Sequence, residues 1–333
     1  MSFLDARRVH LASELRMVHI DFPRSKNLRE HVRQLLSSHL AGLAIGEPFE
    51  TGALVVTGAS RNGKTREIRS LLAEVRNDHD IRDTISELAN EQGETRSETP
   101  AIAVSCDLSG KLTWKDLGEK TAHALGLPVR SGLTQARVWG EVIIQARRRG
   151  VVIIHYDECQ HIFGQGAEKT NAKVIDCFKS LLKDSDWPIM LVLSGVPLLD
   201  SFIDADSPEA EQFRPLARRC RLPDISEATD LRTLADICFA YGDVAGIDVE
   251  PLLLEDFLQR LAYASSWRWG LAIEFIIEAV IRTVERGASE VSTEDFVTGF
   301  AEKYGLEPDY SPFTLSDYRG HIDPEKLLHL SSA

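Results

Sequence analysis

Gly58-Ala59-Ser60-Arg61-Asn62-Gly63-Lys64-Thr65 combines two glycines, separated by four residues, with a lysine and a hydroxyl residue. A loop of this composition turns successive backbone N–H groups onto phosphate oxygens, and a helix following it adds its positive end to the same anion. Lys64 is suited to sit on the β- and γ-phosphates as a point charge, and Thr65 to give its hydroxyl to Mg²⁺. The whole run therefore reads as a site for ATP with Mg²⁺. Leu54, Val55 and Val56 form a short apolar strand before it, and Ile68, Leu71, Leu72 and Val75 recur at helical spacing after it. That strand–loop–helix setting is the one the chemistry needs.

A second chemical group closes the apolar run Val151-Val152-Ile153-Ile154-His155-Tyr156 with Asp157 and Glu158. Such a run suits a strand buried on both faces of a parallel sheet, whose carboxyl end is where ligands bind. Asp157 is expected to hold Mg²⁺ through its water shell, and Glu158 to orient and polarise the water that attacks the γ-phosphate. Acids ending a strand are common; about 90 residues after a phosphate loop they acquire meaning. A third apolar strand ends in Ser194-Gly195, where Ser194 either contacts the γ-phosphate or the attacking water, or simply starts a turn. Arg218 and Arg219 are candidates for a finger reaching a neighbouring subunit's γ-phosphate, against surface pairing with Asp206, Glu209 and Glu211. Arg268, just before Gly270, is placed to lean onto the nucleotide or to form a salt bridge among its own helices. His155, Cys159 and His161 point in different directions and lack a fourth ligand at zinc spacing, so they are not read as a metal site.

The elements that must position these residues come from a chain of 333 residues with net charge −13, 43% hydrophobic and 27% charged. That composition is of an ordinary globular protein and argues against one that coats nucleic acid over its whole surface. Local basic patches remain, in Arg147-Arg148-Arg149 and around Arg214 to Arg221, and Arg130 joins the first as a candidate DNA contact. No apolar run reaches membrane-spanning length, the N-terminus lacks the apolar core of a secretion signal, and Cys106, Cys159, Cys177, Cys220 and Cys238 are scattered, so a cytoplasmic protein without membrane partners is expected. Residues 1–50 read as a leader of short helices, with Leu28, Val32, Leu35, Leu36 and Leu40 on one face and Ile20 or Phe22 available to touch adenine. Residues 51–225 read as the nucleotide-binding core, including an exposed polar loop over 92–100 and a last strand opening at Arg221-Leu222. Residues 226–305 read as a small helical lid, in which Ser292 and Asp295 form a capping box, and 306–333 as an extended tail.

Together these features resemble the AAA+ ATPases, which implies an α/β P-loop NTPase fold of the additional-strand type: a parallel five-stranded sheet with helices on both faces and a C-terminal all-helical lid. Within that class, Ile20-Asp21-Phe22-Pro23-Arg24, Asn62-Gly63-Lys64-Thr65, Asp157-Glu158-Cys159-Gln160-His161-Ile162, Leu193-Ser194-Gly195-Val196-Pro197 and Leu216-Ala217-Arg218-Arg219 look like the TniB/TnsC group of transposition regulators. The resemblance covers residues 20–300. Cys159 and Ile162 replace that group's usual Ala and Leu, Cys220 follows the arginines where an Arg-Phe pair is common, and Trp267-Arg268-Trp269-Gly270 replaces a more glycine-rich turn. The resemblance implies an ATP-dependent homo-oligomer, ring or filament, on double-stranded DNA that recruits a TniQ-like protein and a transposase. The alternatives are a helicase-loader or origin-recognition ATPase and a signalling ATPase switch that ignores DNA.

Overall fold

The apolar runs at residues 54–56, 102–106, 151–156 and 189–193 each become a strand, and a fifth forms where the sequence is rich in arginine. The computed structural model describes residues 6–18, 20, 22–91, 99–110, 112–128, 132–163 and 167–330. Before the first strand stand α1 (Ala6–Met17) and α2 (Pro23–Ile45). β1 (Ala53–Thr57) is followed by α3 (Lys64–Asn77) and α4 (His79–Glu91), and β2 (Ile102–Asp107) by α5 (Trp114–Ala124) and α6 (Gln135–Arg149). β3 (Val151–Asp157) leads to α7 (Glu168–Leu182), β4 (Met190–Gly195) to α8 (Leu198–Ile203) and α9 (Pro208–Phe213), and β5 (Ala217–Arg221) completes the sheet. The rest is helical: α10 (Leu231–Ala245), α11 (Glu255–Ala264), α12 (Trp269–Glu285), α13 (Thr293–Tyr304), α14 (Tyr318–His321) and α15 (Pro324–Leu330).

These elements form two compact units. One holds residues 23–59 and 64–222; the other holds residues 1–22, 60–63 and 223–333. In the first, five parallel strands run in the order β2-β3-β4-β1-β5 with helices on both faces, the P-loop additional-strand arrangement expected from the sequence. Every residue of β1, β3 and β4 is buried, which is why these strands read as continuous apolar runs. β4 lies between the strand of the two acids and the strand of the phosphate loop, and its register sets Ser194 opposite Val56.

The helical unit has its own core, with Leu234, Leu261, Leu271 and Phe300 fully buried. Residues 1–50 do not act as one leader: the chain divides at Phe22, so that α1 joins the helical core through buried Leu15 while α2 packs against β1 and β5 of the sheet. Proline at the first position of α2 suits a helix start, where its missing N–H costs nothing. The tail beyond residue 305 is not extended. Phe313, Ile322 and Leu328 are buried in the helical core, and Arg260 donates to Pro312 O at 2.7 Å and Leu315 O at 2.8 Å. Its prolines interrupt long helices but do not stop short ones from docking an apolar face. The loop over 92–98, Arg130, His19 and Asp21 lie outside the described residues. Among the described residues no helix is long and apolar enough to cross a membrane.

The expected capping box is present at the start of α13, and Asp295 does more than cap. Its carboxylate accepts from Ser292 N at 2.9 Å, Thr283 Oγ1 at 3.0 Å and Arg286 at 2.9 Å, while itself only 6% exposed. Burial alone raises its pKa, but the Arg286 and Ser292 hydrogen bonds outweigh that and hold it below the usual range. A carboxyl depressed in the folded state contributes stability above its unfolded pKa, roughly 4, and loses it as pH falls through the folded value. Asp295→Ala is therefore expected to cost the helical unit about 2–3 kcal/mol in denaturant unfolding at neutral pH. The same variant should flatten the acid limb of stability below about pH 4.

Candidate nucleotide site

The loop after β1 has the conformation its sequence demands. Arg61 and Gly63 take positive φ, 60° and 82°, which turns the chain sharply before α3. At the base, Lys64 is 4% exposed and its Nζ donates to Gly58 O at 3.0 Å and Ala59 O at 2.9 Å. The ammonium thus closes the loop on itself with its charge held at the curl. At the tip, Asn62 is fully buried, its Nδ2 donating to Pro223 O and Asp224 Oδ1 at 3.0 Å each, while its Oδ1 accepts from Trp269 N at 3.2 Å. Asn62 therefore shapes the loop by side-chain bonds that its place in the motif did not announce. Ser60 is exposed, and exposed Arg61 lies 3.8 Å from Glu274.

The first turn of α12 presses on that tip. A Cβ added at Gly270 would lie 2.4 Å from Arg61 O and 3.1 Å from Gly63 N, both backbone atoms. Gly270→Ala must therefore displace the loop, and nucleotide affinity measured by titration is expected to fall roughly tenfold or more. Wild-type affinity in that variant would show that the tip does not shape binding. Arg268, expected to lean onto nucleotide or to bridge within the helices, is committed to Asp224 at 2.5 Å and Glu325 at 3.1 Å. Phe22, expected near a base, packs edge-on against Trp269 with ring centroids 5.1 Å apart.

At the carboxyl end of β3 one of the expected acids, Asp157, meets the expected hydroxyls. Thr65 Oγ1 donates to Asp157 Oδ2 at 2.6 Å, and Asp157 Oδ1 accepts from Ser194 Oγ at 2.6 Å and Glu158 N at 3.1 Å. Burial disfavours the Asp157 charge, but the Ser194 and Thr65 hydrogen bonds prevail and keep its pKa below the usual range. A hydroxyl and an ionised carboxylate side by side are the hard oxygen donors Mg²⁺ prefers, so Thr65 and Asp157 fit that ion.

Ser194 has a second partner that sequence reading passed over: His155 Nε2 at 2.8 Å, with His155 Nδ1 3.2 Å from Ser105 Oγ. The carboxylate of Asp157 only accepts, so the Ser194 proton goes to it and Ser194 Oγ accepts from His155 Nε2–H. Burial pushes His155 down to about 4, leaving it neutral near pH 7. A polar residue inside an apolar run was the signal available. Cys159 is buried and donates to Tyr156 O at 3.2 Å, and His161 is exposed.

Glu158 sits in the left-handed region, φ 58° and ψ 44°, at the head of a short 3₁₀ turn. This conformation, unusual outside glycine, costs about 1–2 kcal/mol and turns the half-buried carboxylate out of the strand direction. Gln160 Nε2 donates to it, and Gln160 Oε1 accepts from Val196 N at 3.2 Å.

Arg218, Arg219 and Arg221 lie within β5, not on a turn before it, and Arg214 alone of the cluster opens the short 3₁₀ turn that precedes the strand. The strand is registered so that Leu54 faces Arg218 and Val55 faces Arg219. Alternation sends the two guanidiniums to opposite sides. Arg218 donates to Gln34 Oε1 of α2 at 2.6 Å, and Arg219 pairs with Asp204 at 2.6 Å and Asp200 at 3.6 Å. Those acids, rather than Asp206, Glu209 or Glu211, are the local partners.

This sheet order, with its phosphate loop and its paired acids, defines a P-loop ATPase. A family model described as an AAA domain matches residues 47–203, the segment that carries the loop, both acids and Ser194. No curated protein matches the sequence. Among solved structures, Cdc6p from Pyrobaculum aerophilum aligns with a TM-score of 0.59 at 16% identity, over 87% of this chain and 70% of that one. The Orc1 protein of Aeropyrum pernix, in complex with DNA, aligns at 0.58 and 16%, over 90% and 70%. The Aeropyrum pernix ORC2 protein, in ADPNP and ADP complexes, aligns at 0.53 and 14%, over 86% and 68%. At these identities the likeness is one of fold.

Proposed function

We propose that this ATPase is a switch that assembles on double-stranded DNA in its ATP state, and that it regulates DNA transposition in the manner of the TniB/TnsC group. Residues 58–65 cradle the phosphates, and Lys64 leaves the loop carbonyls to neutralise the β- and γ-phosphates. Thr65 and Asp157 would hold Mg²⁺, which would supply positive charge to offset that of the phosphates. Glu158 orients the attacking water and takes its proton, while Ser194, aligned by His155, keeps Asp157 in place. Either Arg218 or Arg219 is the candidate finger for a neighbouring subunit's γ-phosphate, and whichever serves must first leave its present partner. The observation that carries the reading is the convergence of Thr65, Asp157 and Ser194 beside a glutamate in the motif Asp157-Glu158-Cys159-Gln160-His161. Basic groups for the duplex include exposed Arg148 and Arg149 at the end of α6, and a few per subunit, repeated around a ring, suffice on an acidic protein.

A second reading, a replication-initiation or helicase-loading ATPase, is favoured by the fold likeness to Cdc6p and to the DNA-bound Orc1 protein. Sedimentation with duplex DNA at two salt concentrations, with a non-hydrolysable ATP analogue, with ADP or with neither, tests what both share. Large salt-sensitive complexes only with the analogue are expected; a monomer that ignores DNA in every condition overturns both in favour of a signalling switch. Capture of a TniQ-like protein or transposase by the assembled form supports the first reading, and capture of a replicative helicase the second.

A further inference from the structure

We infer that Gln160 is the positioning residue for the hydrolytic carboxylate, and that Gly195 is glycine to leave room for it. The inference rests on the reading of Glu158 as the group that orients the attacking water. The Gln160 amide has one acceptor and one donor end, and its two neighbours fix which is which. Val196 N is a donor, so the atom 3.2 Å from it must be Oε1. The Nε2 end then faces Glu158, which as a carboxylate only accepts. Each contact demands the orientation the other demands. The backbone of Glu158 is already turned into the left-handed region, and the amide supplies the remaining restraint on its side chain. One carboxylate oxygen is bound and the other is left to receive a proton.

Gly195 gives a second, independent line. A Cβ there would lie 2.5 Å from Gln160 Oε1, yet 3.4 Å from Leu199 Cδ2 and 3.6 Å from Cys159 N, both ordinary contacts. Gly195 does not adopt a positive φ, so alanine is conformationally acceptable. Among the described residues, what alanine would displace is the Gln160 amide. Val196, just past the end of β4, is thereby tied to the Glu158 carboxylate, just past the end of β3, through the Gln160 side chain.

The test is a double-mutant cycle on the full chain, with ATP affinity measured separately from turnover and with Glu158→Gln in the same series. Gln160→Ala and Gly195→Ala should each lower kcat about tenfold with nucleotide Kd within about twofold of wild type, as expected when a reacting group loses its alignment. Removing the glutamine also removes what the new methyl group of Gly195→Ala collides with, so the double variant should match the single ones. Gln160→Met, which keeps the bulk without the hydrogen bonds, should fail like Gln160→Ala, and thermal melting identifies any variant that simply unfolds. Wild-type or raised kcat in Gln160→Ala overturns the inference, as does a multiplicative, roughly hundredfold loss in the double variant. Undiminished hydrolysis in Glu158→Gln instead overturns the role of Glu158 on which it rests.

Discussion

Lys64→Ala is expected to abolish nucleotide binding in practice, a loss of about 3 kcal/mol or more, roughly a hundredfold in Kd. Lys64 is 4% exposed and its ammonium is already bonded to two loop carbonyls, so the charge is held where water screens it little. Alanine removes the bonds that close the loop and, with them, the charge proposed to neutralise the phosphates. Isothermal titration with ATP and ADP checks the outcome, and the DNA complexes described above should vanish with it. An alanine variant that binds ATP as tightly as wild type would remove the phosphate role from this loop.

Glu158→Gln should have the opposite character: ATP bound, hydrolysis reduced about 10²- to 10³-fold. The replacement has the same shape and keeps a carbonyl oxygen that the Gln160 amide can bond, so the left-handed backbone and the side-chain path are preserved. Only the ability to take a proton is lost. Single-turnover kinetics should show that loss at nearly constant nucleotide affinity, and the ATP-state assembly on DNA should persist for correspondingly longer. Hydrolysis at the wild-type rate would require another base.

The phosphate loop, the paired acids and the polar end of β4 were legible because β1, β3 and β4 are buried on both faces. A strand in that position must be apolar throughout, and any polar residue at its carboxyl end stands out. β5 was misplaced for the converse reason. It is a short edge strand in which only Cys220 is buried, so its arginines hid the pairing with β1. The tail misled through its prolines, although Phe313, Ile322 and Leu328 were there to be buried. What sequence could not display were bonds between distant residues: His155 to Ser194, Asn62 to Asp224, Gln160 to Val196. Each depends on which strand ends meet. The left-handed turn at Glu158 has no compositional mark at all, because any acid after a strand would be spelled the same way.

The placement of Arg218, Arg219 and Arg221 on an outer strand bears on how copies of this chain can meet. An unpaired edge is a template for another strand, and unguarded edges lead to open-ended sheet growth. Here an incoming strand would have to set its own side chains beside three guanidiniums, and such charge along an edge strand works against pairing. Sheet continuation along β5 is thereby disfavoured. Any ordered array that uses this side must be stitched by side chains reaching across to a neighbour, which keeps its contacts reversible.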